Sequence, residues 1–401
     1  MNISIKAGIL PIALLNTVAM TAANDSIVWK RQVYSTGHVR FRQEVLASPA
    51  MRNYLHTPSI SEFSVYATME PAAAARIPQL GRGGKQFGME ASSFQQLGAN
   101  SVVWGKASYQ NGKKYDVTWN ETSDFLLLYP YVMGDAKGGD QNYESYRLDG
   151  GYSTRHGKTC YGVALGYRTL SEYRDRDPRP NNTVADLYAQ GGIGLNIWGS
   201  YSVALTATAG KYKQTNELAF YNELGTQMVY HLTGIGNDFT RFSGQGKNCF
   251  YKGYSIGAEI SMASKETTGW SASAGDLFTR KEKVLTDLNR LPLNRLEVNS
   301  LDGAVGYNNE DYGVRLTGNV AQRKGIDNLF GDATGNIYPQ IGSRKQYDGK
   351  IEKIKAEGFW NVNWTEKTDV NIEPEIACAS FKNSHHTSGN LLKSSDLTMG
   401  V

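Results

Sequence analysis

Few residues of this chain stand in patterns that could do covalent chemistry. His385 and His386 are adjacent and could offer two imidazoles to a metal, but no carboxylate or cysteine stands at ligand spacing, and a solvated loop accounts for the pair. Asp175 and Asp177, interleaved with Arg174, Arg176 and Arg179, could hold a divalent cation or an acidic sugar. The string lacks the glycine and terminal glutamate of a calcium loop, so charge paired within the loop is the better reading. Cys160, Cys249 and Cys378 are odd in number, far apart and without C-x-x-C spacing. One disulfide with a spare thiol, or no disulfide, fits them equally, and they form no metal or redox signature. The residues predict no catalytic group, no metal and no cofactor. A lipid hydrolase embedded in a barrel would need a Ser/His pair at one membrane edge, and nothing in the spacing supports one.

A different set of polar residues is better organised. Arg168, Asp186, Glu259, Arg315, Lys353, Lys355, Glu357, Glu373 and Glu375 fall on the polar face of segments whose other face is apolar. Leu187, Ala189, Ile193, Leu195 and Ile197 alternate with Asp186, Tyr188, Gln190 and Asn196, and Val314, Leu316, Gly318 and Val320 with Arg315, Thr317 and Asn319. Period two over ten or more residues is the signature of a strand with two unlike faces. Such segments come in pairs joined by short polar turns: 86–96 with 101–110, 143–153 with 159–171, 184–198 with 201–213, 251–263 with 269–280, 295–307 with 312–323, and 350–364 with 369–382. Strands of soluble sandwiches average about five or six residues. Ten or more is the length that crosses a bilayer at a tilt. The nine charged residues then line a lumen that is either a wet pore or an interior closed by ion pairs and a plug.

Composition agrees. The chain has 401 residues, 42 Lys+Arg against 38 Asp+Glu, a balance that leaves no electrostatic footprint for nucleic acid. Tyr at 24 outnumbers Phe at 13, which suits rings that meet water. Lys6, the apolar run Ala7–Leu15 and the small residues before Ala23 read as an export signal over 1–23. Residues 24–58 precede the first strand and read as a periplasmic or lumen-occluding segment. Residues 59–401 read as the barrel, incomplete at its C-terminus.

Short turns alternate with long connections at 71–85, 111–142, 172–183, 214–249, 281–294 and 324–349, and outer-membrane barrels keep their short turns periplasmic. Trp104, Trp198, Trp270 and Trp364 each lie near a short turn and are expected to form an aromatic girdle at one interface. The six hairpins and Ser61–Glu70 make thirteen strands, an odd number, with Leu391–Val401 the one candidate for a fourteenth. The predicted fold is all-β, an antiparallel up-and-down transmembrane β-barrel of about 14 strands, or 16 if further chain completes it, with a seam between its first and last strands.

The loop strings Trp119-Asn120-Glu121-Thr122-Ser123-Asp124, Tyr129-Pro130-Tyr131-Val132-Met133-Gly134-Asp135 and Phe220-Tyr221-Asn222-Glu223-Leu224-Gly225 resemble those of an outer-membrane β-barrel family of Bacteroidetes that carries only a domain-of-unknown-function name. The resemblance extends from about Trp29 onward. It implies a barrel whose relatives run longer at the C-terminus, and it brings no catalytic or binding residues with it. The expected role is a non-enzymatic channel or uptake accessory of the outer membrane. Its partners would be outer-membrane lipids and a neighbouring transporter or surface lipoprotein, with the Tyr-rich loop 214–249 as a docking or capture surface. A soluble secreted all-β binding protein is the alternative.

Overall fold

A segment with one apolar and one polar face must find a different environment for each. In the computed structural model the segments do so by pairing edge to edge in one large antiparallel sheet, its inner face polar and its outer face apolar. The structure describes Val33 and residues 36–55, 57–71, 77–222, 227–244, 248–335, 337–365 and 368–400, without the side chains of 362–369. The predicted export signal lies outside the described residues.

Helix α1 (Gly37–Val45) and a 3-10 turn (Pro49–Tyr54) come first. The strands are β1 (Ile60–Glu70), β2 (Gly84–Gln96), β3 (Ser101–Val117), β4 (Met133–Gly134), β5 (Gly139–His156), β6 (Thr159–Tyr173), β7 (Arg179–Trp198), β8 (Tyr201–Ala219) and β9 (Tyr230–Gly234). Then follow β10 (Asn237–Asp238), β11 (Cys249–Ser264), β12 (Gly269–Leu285), β13 (Leu291–Asn308), β14 (Tyr312–Phe330), β15 (Gln340–Thr365), β16 (Thr368–Ile372), β17 (Glu375–His385) and β18 (Leu391–Gly400). A 15-stranded antiparallel sheet runs β1-β2-β3-β5-β6-β7-β8-β11-β12-β13-β14-β15-β17-β18, with β16 paired to β15. β16 and β17 are two halves of one returning strand, broken at Glu373-Pro374, because proline has no N–H to give the ladder.

Each predicted hairpin is present in register. Gly157, at φ +60°, makes the tight turn between β5 and β6, a backbone region that glycine enters without strain. The strands run longer than the alternation foretold: β7 has 20 residues, β8 19 and β15 26. Hydrogen-bonded hairpins continue past the apolar rows, so the expected long loops at 172–183, 281–294 and 324–349 are much shorter connections. β18 is paired along its whole length with β17, although its sequence alternates only from Leu397. Its upper half turns Lys393 and Ser395 outward, so it is a strand that leaves the apolar rows. Among the described residues β1 and β18 share no ladder, which places a seam between the first and last strands.

Outward rows are apolar and bare. Val203, Leu205, Ala207 and Ala209 on β8 occupy about 20 Å of strand, within the ~25 Å apolar band of membrane barrels. Leu165 and Val314 are 60% and 61% exposed, and Ile193, Leu205, Ile256, Leu316 and Ile354 are exposed with them. A soluble protein rarely leaves so continuous an apolar surface uncovered. Among the described residues no helix is long and apolar enough to cross a membrane.

Candidate functional site: an interior closed at both ends

The short-turn end is filled by residues 36–55 and Thr57. Thr36 caps α1 by accepting from the Val39 N–H, and the chain then turns across the barrel. Leu46, Ala50 and Met51 are fully buried, together with Val39, Phe41, Tyr54, Phe94, Val102, Cys160 and Phe359. One arc of the sheet, from β5 to β11, holds the segment by hydrogen bonds. Ser48 meets the Thr206 hydroxyl at 2.7 Å, Asn53 donates to the Ser153 hydroxyl at 2.9 Å, and the Tyr54 hydroxyl donates to Asn196 at 2.6 Å. Arg42 donates to the Ser264 carbonyl at 3.0 Å, and burial lowers its guanidinium to about 10. The wall is cut to fit: a Cβ on Gly162 would sit 2.1 Å from the Pro49 carbonyl oxygen.

At the long-loop end, residues 118–138 fold into the mouth of the barrel. Phe125, Leu128, Val132 and Met133 bury themselves against Leu170, Val184, Tyr251, Leu285, Leu293 and Phe330. Backbone carbonyls that enter this mouth need donors. Arg323 donates to the carbonyls of Leu126, Leu127 and Tyr129 at 2.9, 3.2 and 2.6 Å, and Lys283 to that of Val132 at 3.0 Å. Asp124, just before the one-turn helix α2 (Phe125–Leu128), accepts from Arg168 at 2.9 and 2.5 Å and from the Tyr212 hydroxyl at 2.9 Å. Above it Arg174 lies 2.7 Å from Asp135 and 3.3 Å from Glu121, all three side chains fully buried. Burial, reinforced by the neighbouring negative charge of Asp135, pushes the Glu121 carboxyl well above the usual range. Burial also works against the charge of Asp135, but the Arg174 guanidinium and the hydrogen bonds it receives hold its carboxyl below that range. In the trio one guanidinium thus faces two carboxyls whose proton affinities are pushed in opposite directions. Strands β4, β9 and β10 form a small sheet across the same mouth.

Between the two seals the wall is polar and solvent-accessible. Lys106 pairs with Glu90 at 2.7 Å with half of its side chain exposed, Arg147 with Asp149 at 2.6 Å, and the Tyr188 hydroxyl donates to Asp149 at 2.9 Å. Tyr188 lies flat across β6 because position 166 is glycine, where a Cβ would come within 2.0 Å of the ring.

Of the residues singled out in the sequence, eight face the interior from strands: Arg168, Asp186, Glu259, Arg315, Lys353, Lys355, Glu357 and Glu375. Glu373 lies in the break between β16 and β17 and pairs with Arg40 of α1. Two networks result. Arg168 joins Asp124 and stands 3.7 Å from Asp186. Arg315 joins Glu44 at 2.7 Å and Glu357 at 3.4 Å, and Lys355 bridges Glu357 and Glu375. Lys353 faces inward beside Asn319 and Ala379, and Glu259 beside Thr206 and Gly275.

The tryptophans divide. Trp198 and Trp270 point outward near the short turns and are exposed, with Trp360, Tyr152, Tyr161 and Tyr312 around them. Trp104 does not: it shares the inward register of Val102, packs under the Arg52 guanidinium and lies over Gly151. Nearness to a turn sets a residue's height, whereas its parity along the strand sets its face. The Trp364 side chain lies outside the described residues. Sequence reading also passed over Glu121, Asp135, Lys283 and Arg323, whose partners are brought together only by the loop's inward fold.

The string Gly253-Tyr254-Ser255-Ile256-Gly257 has the spacing of a nucleophile elbow, yet it lies within β11. Ser255 there opposes Thr279 and Gly210, without the strand-to-helix turn that exposes such a serine. Among the described residues no three His, Cys, Asp or Glu side chains converge as a metal site. Cys160 and Cys249 are buried thiols and Cys378 an exposed one.

Three solved structures are similar in outline. One is the ferric preacinetobactin receptor BauA from Acinetobacter baumannii (9% identity, TM-score 0.40, 85% of this chain and 69% of that one). A second is the CymD monoaromatic hydrocarbon channel (8%, 0.39, 89% and 91%), and a third a Pseudomonas aeruginosa FadL homologue (9%, 0.38, 88% and 90%). No curated protein matches the chain in sequence. Residues 49–401 match the model of a family of unknown function, and the chain belongs to that family, DUF6850.

Proposed function

We propose that the chain is an outer-membrane β-barrel that admits or captures a polar solute and does no bond chemistry of its own. One observation carries this reading: a charged, solvent-accessible inner face is backed by a bare apolar exterior, and a segment of the same chain packs against that inner face at each end. The export signal at 1–23 delivers the chain, the short turns face the periplasm, and residues 24–58 form the periplasmic plug. The loop 118–138 then closes the outer mouth. The mixed signs of the wall, with Arg147 beside Asp149 and Lys106 beside Glu90, suit a polar solute of little net charge. The exposed Tyr221, stacked under Arg179 at 4.2 Å, offers a neighbouring transporter or lipoprotein a rigid amphipathic contact.

Fractionation with heat-modifiable gel mobility tests the placement. The wild-type chain belongs in the membrane pool, and a soluble periplasmic pool would overturn the reading. Leu316→Arg puts a cation on the outer face and should block assembly, at a cost of about 2–4 kcal/mol near the bilayer midplane. Arg315→Ala, one residue along on the inner face, should assemble.

A further inference from the structure

The outer surface is not uniform. Along β15, β17 and β18 the outward residues Lys350, Lys382 and Lys393 stand directly opposite one another in a single row. All three are exposed. The row continues onto β14 and β13 with Gln322 and Asn299, so two amides extend it. Lys350 has Glu352 as a partner at 2.6 Å, and among the described residues Lys382 and Lys393 have no carboxylate within ion-pair distance. Cross-strand neighbours of like charge repel at Cβ separations of about 5 Å. A lone lysine at such a height could extend to water on its flexible stem. Three abreast, with one carboxylate among them, leave a concentrated positive strip.

Immediately toward the short turns, the same five strands form a depression of about 970 Å³. Its lining is two adjacent outward rows, one through Leu301, Val320 and Glu352 and the next through Gly303, Gly318 and Ile354, together with the inward-facing residues between them. Gly303 and Gly318 are cross-strand partners, and their missing side chains make the floor. A cationic strip thus borders an apolar trough on the surface that faces lipid.

We propose that this surface binds one phosphate-bearing lipid, its phosphate on Lys350, Lys382 and Lys393 and an acyl chain along Gly303 and Gly318. Charge complementarity argues for this occupant. The strip lies on the long-loop side of the trough, where a headgroup meets water, and the trough lies on the hydrocarbon side. A protein surface would need carboxylates buried against lipid to meet the lysines, and a free anion would leave the trough empty. The inference rests on the membrane reading above, and the experiment separates the two.

Native mass spectrometry of the detergent-purified full chain, with added diphosphoryl lipid A, dephosphorylated lipid A or phosphatidylethanolamine, reads lipid retention directly. Diphosphoryl lipid A should be retained in preference to the other two, and inorganic phosphate should not displace it. At about fivefold per lysine near a membrane surface, the triple change K350Q/K382Q/K393Q should weaken retention roughly a hundredfold. The arginine version of the same triple change should restore it. Gly318→Phe fills the trough where no atom lies within 4 Å of an added Cβ, so the barrel should assemble and retention should fall with the lysines intact. Equal retention of phosphorylated and dephosphorylated lipid, or an unaffected lysine triple variant, would overturn the proposal. Heat-modifiable mobility of each variant reports barrel assembly independently, so a failure of the membrane reading shows there first.

Discussion

At the short-turn end Leu46, Ala50 and Met51 sit fully buried among apolar side chains, held by a few hydrogen bonds to β5, β8 and β11. At the long-loop end Phe125 and Leu128 are buried too, but the segment is knitted in by four cations, Arg168, Arg174, Lys283 and Arg323, each reaching a carboxylate or carbonyl of the loop. Among the described residues the first seal continues into the barrel only through β1. The second is joined to β3 and β5 at both of its ends. An apolar plug fixed on one side can leave as a unit, whereas a loop held by buried charge must lose several specific bonds together. The two ends should therefore fail independently and for different reasons.

The largest effect should come from Arg174→Met, which strands Asp135 and Glu121 in the interior without their cation. Breaking a buried ion pair from one side costs about 3–5 kcal/mol. Trypsin should then cut after Lys137 in the assembled barrel, while the plug, with Arg40 and Arg52, stays protected. Met51→Ala should do the converse: a fully buried methionine loses about 2–5 kcal/mol of packing, and cleavage should appear at the plug and spare the loop. Cleavage of both segments in either variant would mean the seals are one cooperative unit.

A smaller effect separates the ends by pH. The Asp135 carboxyl is held low in the folded loop, so its contribution is complete above the ordinary aspartate value of about 3.9 and is lost as pH falls through its lowered value. Glu121 is held high, so its contribution is complete below the ordinary glutamate value of about 4.3 and is lost as pH rises through its raised value. Protease protection of the loop should peak between those limits. Glu121→Gln should abolish the loss on the alkaline side and keep the acid one. Unchanged pH dependence in that variant would remove Glu121 from the seal.

Much of the barrel was legible because alternation is a local property. Val314 to Val320 announce both faces of β14 without reference to any neighbour, and hairpin turns fix the register that follows. The inward placement of Arg315, Lys355 and Glu357 came from the same parity. Trp104 faces inward because parity, not nearness to a turn, sets the face of a strand residue, and Val102 and Val103 beside it already point to opposite sides. The long-loop seal could not be read at all. Arg174 meets Glu121 and Asp135 across 53 and 39 residues, and Arg323 meets Leu126 across 197. No periodicity links such partners. The strings around Trp119 and Tyr129 stood out as unusual, but nothing in them says that the loop turns inward.

Planar-bilayer conductance of four chains tests the two-seal arrangement most directly: the wild type, a chain lacking residues 24–57, a chain with 119–135 replaced by a short Gly/Ser linker, and the double variant. The wild type and each single variant should insert with little steady conductance, and the double variant should show stable open channels, because either seal alone still closes the interior. A wild-type conductance equal to that of the double variant, or a double variant that inserts and stays silent, would contradict it.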